Sequence, residues 1–98
     1  MAAEKQFEIK IKNYLKSKNI WYVKFFANGM TKRGVPDILA CVNGRFYGIE
    51  VKAEDGKASP LQIRNIEEIN SCGGVGVIVK PSGFDDLKAL IEKELRSD

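Results

Sequence analysis

The dipeptide Asn43-Gly44 constrains the fold of this chain more than any other feature of its sequence. It lies between two stretches of strand-like composition, residues 36–42 and 45–53. A type I′ turn requires positive φ at both of its central positions, and Asn followed by Gly tolerates them well. The sequence therefore predicts an antiparallel hairpin with a two-residue loop, in which Val42 faces Arg45.

This register places acidic side chains of the two strands next to each other. Asp37 falls directly opposite Glu50, with their Cβ atoms about 4.5–5.5 Å apart on one face. Lys52 leaves the same face, because side chains alternate along a strand. Two facing carboxylates repel, so the pair needs a reason other than stability. The alternative is an ordinary solvated face with a Glu50–Lys52 ion pair. The reverse face of the same strand carries three core candidates, Tyr47, Ile49 and Val51.

The remaining hydrophobic pattern predicts elements in the order αβββαβα. An apolar stripe indicates a first helix over residues 3–18, which Asn19 ends in the left-handed conformation. Ser59-Pro60 is typical of an N-cap followed by proline at the first helical position. The other predicted elements are strands 20–26, 36–42 and 45–53, a helix from Ser59 to about Cys72, a strand 75–79 and a helix 84–95. We expect an α/β fold with a mixed sheet, in one domain spanning residues 1–98.

Composition excludes several classes of protein. The chain has 98 residues and no histidine, which rules out a Ser-His-Asp triad, a histidine general base and histidine-bound zinc. The net charge of +3 indicates little about partners by itself. Cys41 and Cys72 form no CxxC pair, so we expect buried, reduced thiols. The sequence has neither a membrane-spanning apolar run nor an apolar signal core near its start, so we expect a cytoplasmic protein without membrane contact.

The facing acids indicate a divalent metal site. Hard carboxylate oxygens suit Mg²⁺, with Mn²⁺ as a substitute, and the backbone carbonyl of Val51 could supply a further ligand. A metal ion held by Asp37 and Glu50 would stabilise charge on a phosphodiester and lower the pKa of a bound water. Lys52 would orient that water or stabilise the transition state. One-metal and two-metal arrangements are both open.

Two motifs at this spacing resemble a known group of nucleases. Pro36-Asp37, followed by Glu50-Val51-Lys52 on the adjacent strand, resembles the PD-(D/E)xK superfamily. The longer string GVPDILACVNGRFYGIEVKAEDGKASPLQ resembles the VRR-NUC family within it, including the helix start Ser59-Pro60-x-Gln62. The resemblance implies a restriction-endonuclease-like αβββαβ core, followed here by a C-terminal helix. It also implies a metal-dependent endonuclease that hydrolyses phosphodiester bonds in DNA.

Further site residues come from this resemblance. The family carries a glutamate on its first helix near the metal; Glu8 matches its spacing best, with Glu4 as the alternative. Gln62 matches a glutamine that lines the family's active site. Stand-alone members are similar to Holliday-junction resolvases, so the resemblance implies a homodimer that makes two symmetric cuts in a four-way DNA junction.

Basic and polar residues near the motifs are candidates for DNA contacts. The loop after the first strand carries Asn28, Lys32 and Arg33, which with Lys24 could form a basic lip beside the metal site. Lys57, in the loop after the third strand, could contact a phosphate. For each of these residues the alternative is an ordinary solvated side chain.

The sequence as a whole predicts a structure-selective DNA endonuclease. Two alternatives remain open: a restriction-type or non-specific nuclease on the same site, and a non-catalytic nucleic-acid-binding module. Clustered carboxylates argue against the second, because binding phosphate does not require them. The dimer contact could come from the last helix or from the first strand, whose aromatic residues are Trp21, Tyr22, Phe25 and Phe26. The alternative is that these aromatic side chains pack in the core.

Overall fold

The helices and strands occur in the predicted order. The computed structural model describes residues 2–97. They form helices α1 (Ala2–Ser17), α2 (Pro60–Ser71) and α3 (Phe84–Arg96), strands β1 (Trp21–Lys24), β2 (Ile38–Val42), β3 (Arg45–Val51) and β4 (Val75–Val79), and a 3₁₀ turn at Pro81–Gly83. The first three strands are shorter than predicted; β2 starts only at Ile38, because Pro36 has no N–H to donate to the ladder. None of the described helices is long and apolar enough to cross a bilayer.

The strands form one mixed sheet in the order β1-β2-β3-β4. The β1–β2 and β2–β3 pairs are antiparallel, and the β3–β4 pair is parallel. At the hairpin turn φ is 51° for Asn43 and 81° for Gly44, and Val42 pairs with Arg45. The predicted register is confirmed, and the mixed α/β architecture is consistent with the predicted restriction-endonuclease-like fold.

One face of the sheet packs against α1 and α3 to form the hydrophobic core. Tyr47 lies fully buried in this layer, and its hydroxyl donates a hydrogen bond of 2.8 Å to Glu94 Oε1 on α3. Asn19, with φ of 58°, ends α1 in the predicted left-handed conformation. The core contributions of β3 and the two helices are Tyr47, Ile49, Val51, Phe7, Ile11, Leu15, Leu87 and Ile91. The core face predicted for β3 is therefore confirmed.

The opposite face of the sheet is covered only in part. Helix α2 packs against β4 and β3 at very close range: a Cβ on Gly76 would lie 2.8 Å from the carbonyl oxygen of Ile66, so only glycine fits there. No described helix covers the β1 and β2 part of this face. Trp21 on β1 is 66% exposed and Phe46, in the same row of the sheet, is 47% exposed.

The prediction that both cysteines are buried is wrong. Cys41 and Cys72 are free thiols and both are exposed. Cys41 pairs with Trp21 and Phe46 on the part of the sheet that α2 leaves uncovered. Cys72 is the C-cap of α2, so it lies at the C-terminal end of that helix. Apolar patterning of the strands does not reveal which part of a sheet a helix will cover.

The loop that leads into β2 is fastened to α2 by a buried amide. Asn65 Nδ2 donates hydrogen bonds to the carbonyl oxygens of Arg33, at 3.0 Å, and Leu61, at 2.9 Å. Gly34 has φ of 78°, and a Cβ there would lie 2.7 Å from Asn65 Nδ2. Glycine is therefore needed at position 34 for both the backbone conformation and the close approach, and this contact fixes where the chain enters β2.

Replacing Gly34 with alanine should destabilise the protein by about 2 kcal/mol, because the new Cβ would strain a left-handed backbone and crowd the helix. The Leu61 carbonyl oxygen would lie only 2.8 Å from it. Gly29→Ala in the same loop is the matched control, since a Cβ there meets nothing within 4 Å. Urea unfolding measures the difference; equal midpoints for the two variants would show that the Gly34–Asn65 contact does not hold the loop.

Candidate active site

Asp37 and Glu50 meet where β2 begins and β3 ends. Asp37 lies one residue before β2, and its Oδ2 accepts a hydrogen bond of 2.8 Å from the backbone N–H of Val51. Continuing the β2–β3 register by one pair places Asp37 opposite Glu50. Lys52 extends its Nζ to 3.5 Å from Glu50 Oε2. The structure thus brings the three residues of the predicted cluster together.

Glu50 is a buried acid with an incomplete set of partners. Its side chain is only 2% exposed, and no described group forms a hydrogen bond with its Oε1. The pKa of Glu50 is raised to about 8. Burial is the largest cause, and the Asp37 carboxyl contributes through its charge and a hydrogen bond, while the Lys52 ammonium opposes the shift without cancelling it. An ionised carboxylate in such a place destabilises the fold unless a cation compensates its charge.

A second group of charges joins α1 to the start of β2. Lys24 Nζ lies 2.8 Å from Glu8 Oε1 and 3.5 Å from Asp37 Oδ1. Lys12 Nζ lies 3.3 Å from the other oxygen of Glu8. Burial raises the pKa of Glu8, but the two ammonium groups outweigh that effect and lower it. Burial lowers the pKa of Lys24, but Glu8 and Asp37 outweigh that effect and raise it. Glu8 and Lys24 are therefore both charged at neutral pH.

Of the two helix acids considered, Glu8 is the one that contacts this charge cluster. Lys24 pairs with Ile38 in the sheet, one residue from Asp37, which brings it between the helix and the acid pair. The sequence predicts Lys24 only as part of a basic lip and does not predict that it bridges Glu8 and Asp37. The strand register predicts that Lys24 lies close to Asp37. It does not predict the contact with Glu8, because the packing of α1 against β1 is a tertiary contact that the register does not specify.

The acids fall into a pair and a single residue. Asp37 and Glu50 adjoin, whereas Glu8 reaches Asp37 only through the Lys24 ammonium. Across residues 2–97, no three His, Cys, Asp or Glu side chains are grouped closely enough to hold a metal ion. The Asp37–Glu50 pair nevertheless has the donor chemistry that Mg²⁺ prefers, and the Oε1 without a hydrogen-bond partner on Glu50 is an oxygen available to such a cation.

Two further predicted residues have structural partners. Gln62 occupies the third position of α2, where its Oε1 accepts the N–H of Ser59 at 2.8 Å while Ser59 Oγ accepts the N–H of Gln62 at 3.2 Å. This reciprocal pair is a capping box and stabilises the start of the helix. Val51 contributes its N–H to Asp37. Active-site roles for the Gln62 side chain and the Val51 carbonyl stay predictions.

The predicted DNA-contacting residues lie on exposed loops. Lys32 makes a loose ion pair with Glu68, at 3.7 Å. Asn28 closes a turn in its own loop, since its Oδ1 accepts the N–H of Met30 at 2.7 Å. All four side chains are accessible to a large ligand: Asn28, Lys32, Arg33 and Lys57. Their contacts with DNA stay predictions.

The family model for archaeal Holliday junction resolvase (hjc) matches residues 2–72. The match runs from the start of α1 to the end of α2 and includes Asp37, Glu50 and Lys52. This family is of the PD-(D/E)xK type, in agreement with the superfamily predicted from the two motifs, whereas the narrower VRR-NUC resemblance stays a prediction. Comparison with curated proteins gives no match.

Glu50→Gln should stabilise the cation-free protein at alkaline pH. Because folding raises the pKa of Glu50 from 4.5 to about 8, the stability linked to its protonated form is complete below the unfolded pKa and is lost as the pH rises through the folded pKa. Glutamine buries no charge, so near pH 9 the variant should exceed the wild type by on the order of 3 kcal/mol, and the gap should shrink towards pH 5. Urea unfolding with EDTA at several pH values measures the gap.

Glu67→Gln is the control for this pH series, because Glu67 lies on the exposed side of α2. Its stability curve should follow that of the wild type at every pH. A gap between Glu50→Gln and the wild type that stays constant with pH would mean that Glu50 titrates normally in the folded protein.

Proposed function

Since the chain belongs to the archaeal Holliday junction resolvase family, we propose that it is a Mg²⁺-dependent endonuclease that cuts phosphodiester bonds in four-way DNA junctions. The family implies resolvase activity and a branched DNA substrate. The observation that carries the metal dependence is the buried Glu50, which stands beside a second carboxylate. The Oε1 of Glu50 itself lacks a hydrogen-bond partner among the described residues.

Asp37 and Glu50 are the residues that would hold the cation, joined by the Val51 carbonyl and by Glu8 from α1. The raised pKa of Glu50 supports this assignment, since it reflects a buried site with too little positive charge of its own. When bound, Mg²⁺ or Mn²⁺ supplies charge stabilisation at the scissile phosphate and lowers the pKa of a ligated water. Carboxylate and carbonyl oxygens are the ligands that both ions favour.

Lys52 would act on the phosphate or on the attacking water. Its ammonium lies beside Glu50, at 3.5 Å, and so shares the face of β3 on which the cation would bind. An ammonium fixed there stabilises negative charge as it develops on the phosphate oxygens. Gln62, from the first turn of α2, would line the same side of the site.

Lys24 would serve as a counter-ion for the acids while no divalent cation is bound. Its ammonium contacts Glu8 and Asp37 together. It therefore offsets the repulsion between two carboxylates from different elements and keeps the α1 acid within reach of the site. An acid positioned in advance loses less conformational freedom when the cation binds.

The exposed loop residues would bind the phosphate backbone of the substrate. The lysines and the arginine would do so through their charge, which supplies sequence-independent affinity for DNA, and the asparagine through a hydrogen bond from its amide. We assign this role to Asn28, Lys32, Arg33 and Lys57. The Ser59-Pro60-x-Gln62 helix start supports a closer relationship to VRR-NUC proteins within the superfamily. We also propose that the reaction takes place in the cytoplasm, where such a substrate forms.

The uncovered part of the sheet would be the contact surface of a homodimer. Trp21, Cys41 and Phe46 form one row across β1, β2 and β3, and all three are exposed. An exposed apolar patch on a sheet face is typical of a protein–protein contact. Tyr22 packs against the core and does not belong to this surface. A two-fold enzyme matches a junction that needs two symmetric cuts.

Asp37→Asn should lower the cleavage rate on a synthetic four-way junction by about a thousandfold while the fold survives, because the amide can still accept the Val51 N–H but cannot balance a cation's charge. Lys52→Met should have an effect of similar size. Asp55→Asn is the control, since Asp55 is an exposed acid just beyond the site. Single-turnover cleavage with Mg²⁺, alongside circular dichroism, gives both readouts.

Full activity of Asp37→Asn, or of the wild type in EDTA, would reject the metal-dependent mechanism. Linear duplex, flap and single-stranded substrates run beside the junction separate the alternatives. Equal cleavage of all of them would indicate a non-specific nuclease. Junction binding with no cleavage in Mg²⁺ or Mn²⁺ would indicate a non-catalytic binding module.

Trp21→Glu should convert the protein from dimer to monomer, because a charge at the centre of a desolvated apolar contact has no partner there. Light scattering should give twice the chain mass of 11.0 kDa for the wild type and the single chain mass for the variant. Leu95→Glu on α3, exposed to 38%, is the matched control. Dissociation by Leu95→Glu instead would move the contact to the last helix, and a monomeric wild type would reject the dimer.

A further inference from the structure

Phe26 is an exposed aromatic side chain beside the acid cluster. The Phe26 side chain is 76% exposed. The backbone just before it is fixed, because the N–H of Phe25 donates a hydrogen bond of 2.8 Å to the carbonyl oxygen of Asp37. Lys24 Nζ lies 5.9 Å from the centre of the Phe26 ring and 3.5 Å from Asp37 Oδ1. The Lys24 ammonium is therefore close both to the Phe26 ring and to Asp37, one of the residues that would hold the cation.

Phe26 also forms a wall of a cavity of about 420 Å³. This volume lies within the range of pockets that accept small organic ligands, about 300–1,000 Å³. The other lining residues are Glu4, Lys5, Glu8, Lys12 and Lys24. The lining thus has three lysines against two glutamates, which leaves a net charge of +1 after Lys12 and Lys24 share the Glu8 carboxylate. An aromatic wall beside a net positive charge is what remains available to a ligand.

We propose that this cavity receives one unstacked nucleotide of the DNA strand that is being cut. Its base stacks on the Phe26 ring and its phosphate lies against the lysines that line the cavity. The proposal rests on the proposed nuclease function and adds a nucleotide-binding pocket to it. Flat aromatic rings with adjacent cationic side chains are the combination by which proteins hold single-stranded nucleotides.

The lining favours a nucleotide over a protein segment. Phe26 is the apolar member of the six lining residues, whereas a docked peptide would need several apolar contacts to exclude water. A nucleotide needs one stacking surface and a cation for its phosphate. Removing a base from the stack costs least where the duplex is already disturbed, and the branch point interrupts the duplex.

The test combines Phe26→Ala with junctions that lack one base. Fluorescence anisotropy in EDTA measures binding of a labelled four-way junction, intact or with an abasic site placed in turn at each nucleotide near the branch point. Phe26→Ala should bind the intact junction about tenfold more weakly than the wild type, the size expected for one lost stacking contact. At the abasic position that corresponds to the pocket, the two proteins should bind equally, since the base and the ring form one interaction.

Two further variants identify the cause. Phe26→Trp should keep the wild-type affinity because it preserves a stacking surface. Leu95→Ala should match the wild type on every junction, because Leu95 is an exposed apolar side chain on α3 that does not line this cavity. Wild-type affinity of Phe26→Ala for the intact junction would overturn the proposal. So would an unchanged affinity ratio at every abasic position, since Phe26 would then act without a base. A wild type that binds junctions no better than linear duplex would overturn the proposed function together with the pocket.

Discussion

The hydrogen bond from the Val51 N–H to Asp37 Oδ2 holds the start of β2 against the end of β3. It uses a backbone donor at the point where the ladder between the two strands ends, so its position follows from the register of the hairpin. The Gly34–Asn65 contact fixes the same loop from the side of α2. Asp37 is therefore kept opposite Glu50 by the backbone, whether or not Glu50 is ionised. A binding site needs side chains whose positions are fixed by the surrounding backbone, as the position of Asp37 is here.

The energy that supports this arrangement comes from the reverse side of β3. Because side chains alternate along the strand, Glu50 stands between Ile49 and Val51, both of which are fully buried in the core. Each buried aliphatic side chain stabilises the fold by about 1.5–3 kcal/mol, which offsets the penalty of one buried acid. The Lys52 ammonium reduces that penalty at Glu50, and Lys24 pairs with the neighbouring Asp37. The aliphatic part of this support, Ile49 and Val51, lies on the core side of β3, away from the acid pair.

Local signals account for what could be predicted from sequence. The Asn43-Gly44 turn specifies the register, and the register alone brings Asp37 and Glu50 together. Contacts between distant elements account for what was missed: Lys24 meets Glu8 only because α1 packs beside β1. Cys41 is exposed because α2 covers β3 and β4 and leaves β1 and β2 open.

Gln62 shows a different limit, because the family resemblance and the local sequence predict different roles for the same side chain. Serine followed three residues later by glutamine at a helix start is a capping box, and the structure contains that pair of hydrogen bonds. A side chain can thus match a family position and have a purely local partner at the same time.

The parallel pairing of β3 with β4 bears on when the site can form. The backbone N–H of Lys52 donates to the carbonyl oxygen of Val79 at 3.0 Å, so the end of β3 is anchored by a strand that lies beyond the whole of α2. Non-local parallel pairing is intrinsically slow, because the entropy of closing the intervening loop is lost before the contacts form. During vectorial synthesis the ribosome releases both acidic motifs well before β4 emerges. A nascent chain therefore carries every residue of the acid cluster before it possesses the strand that holds the lysine in place.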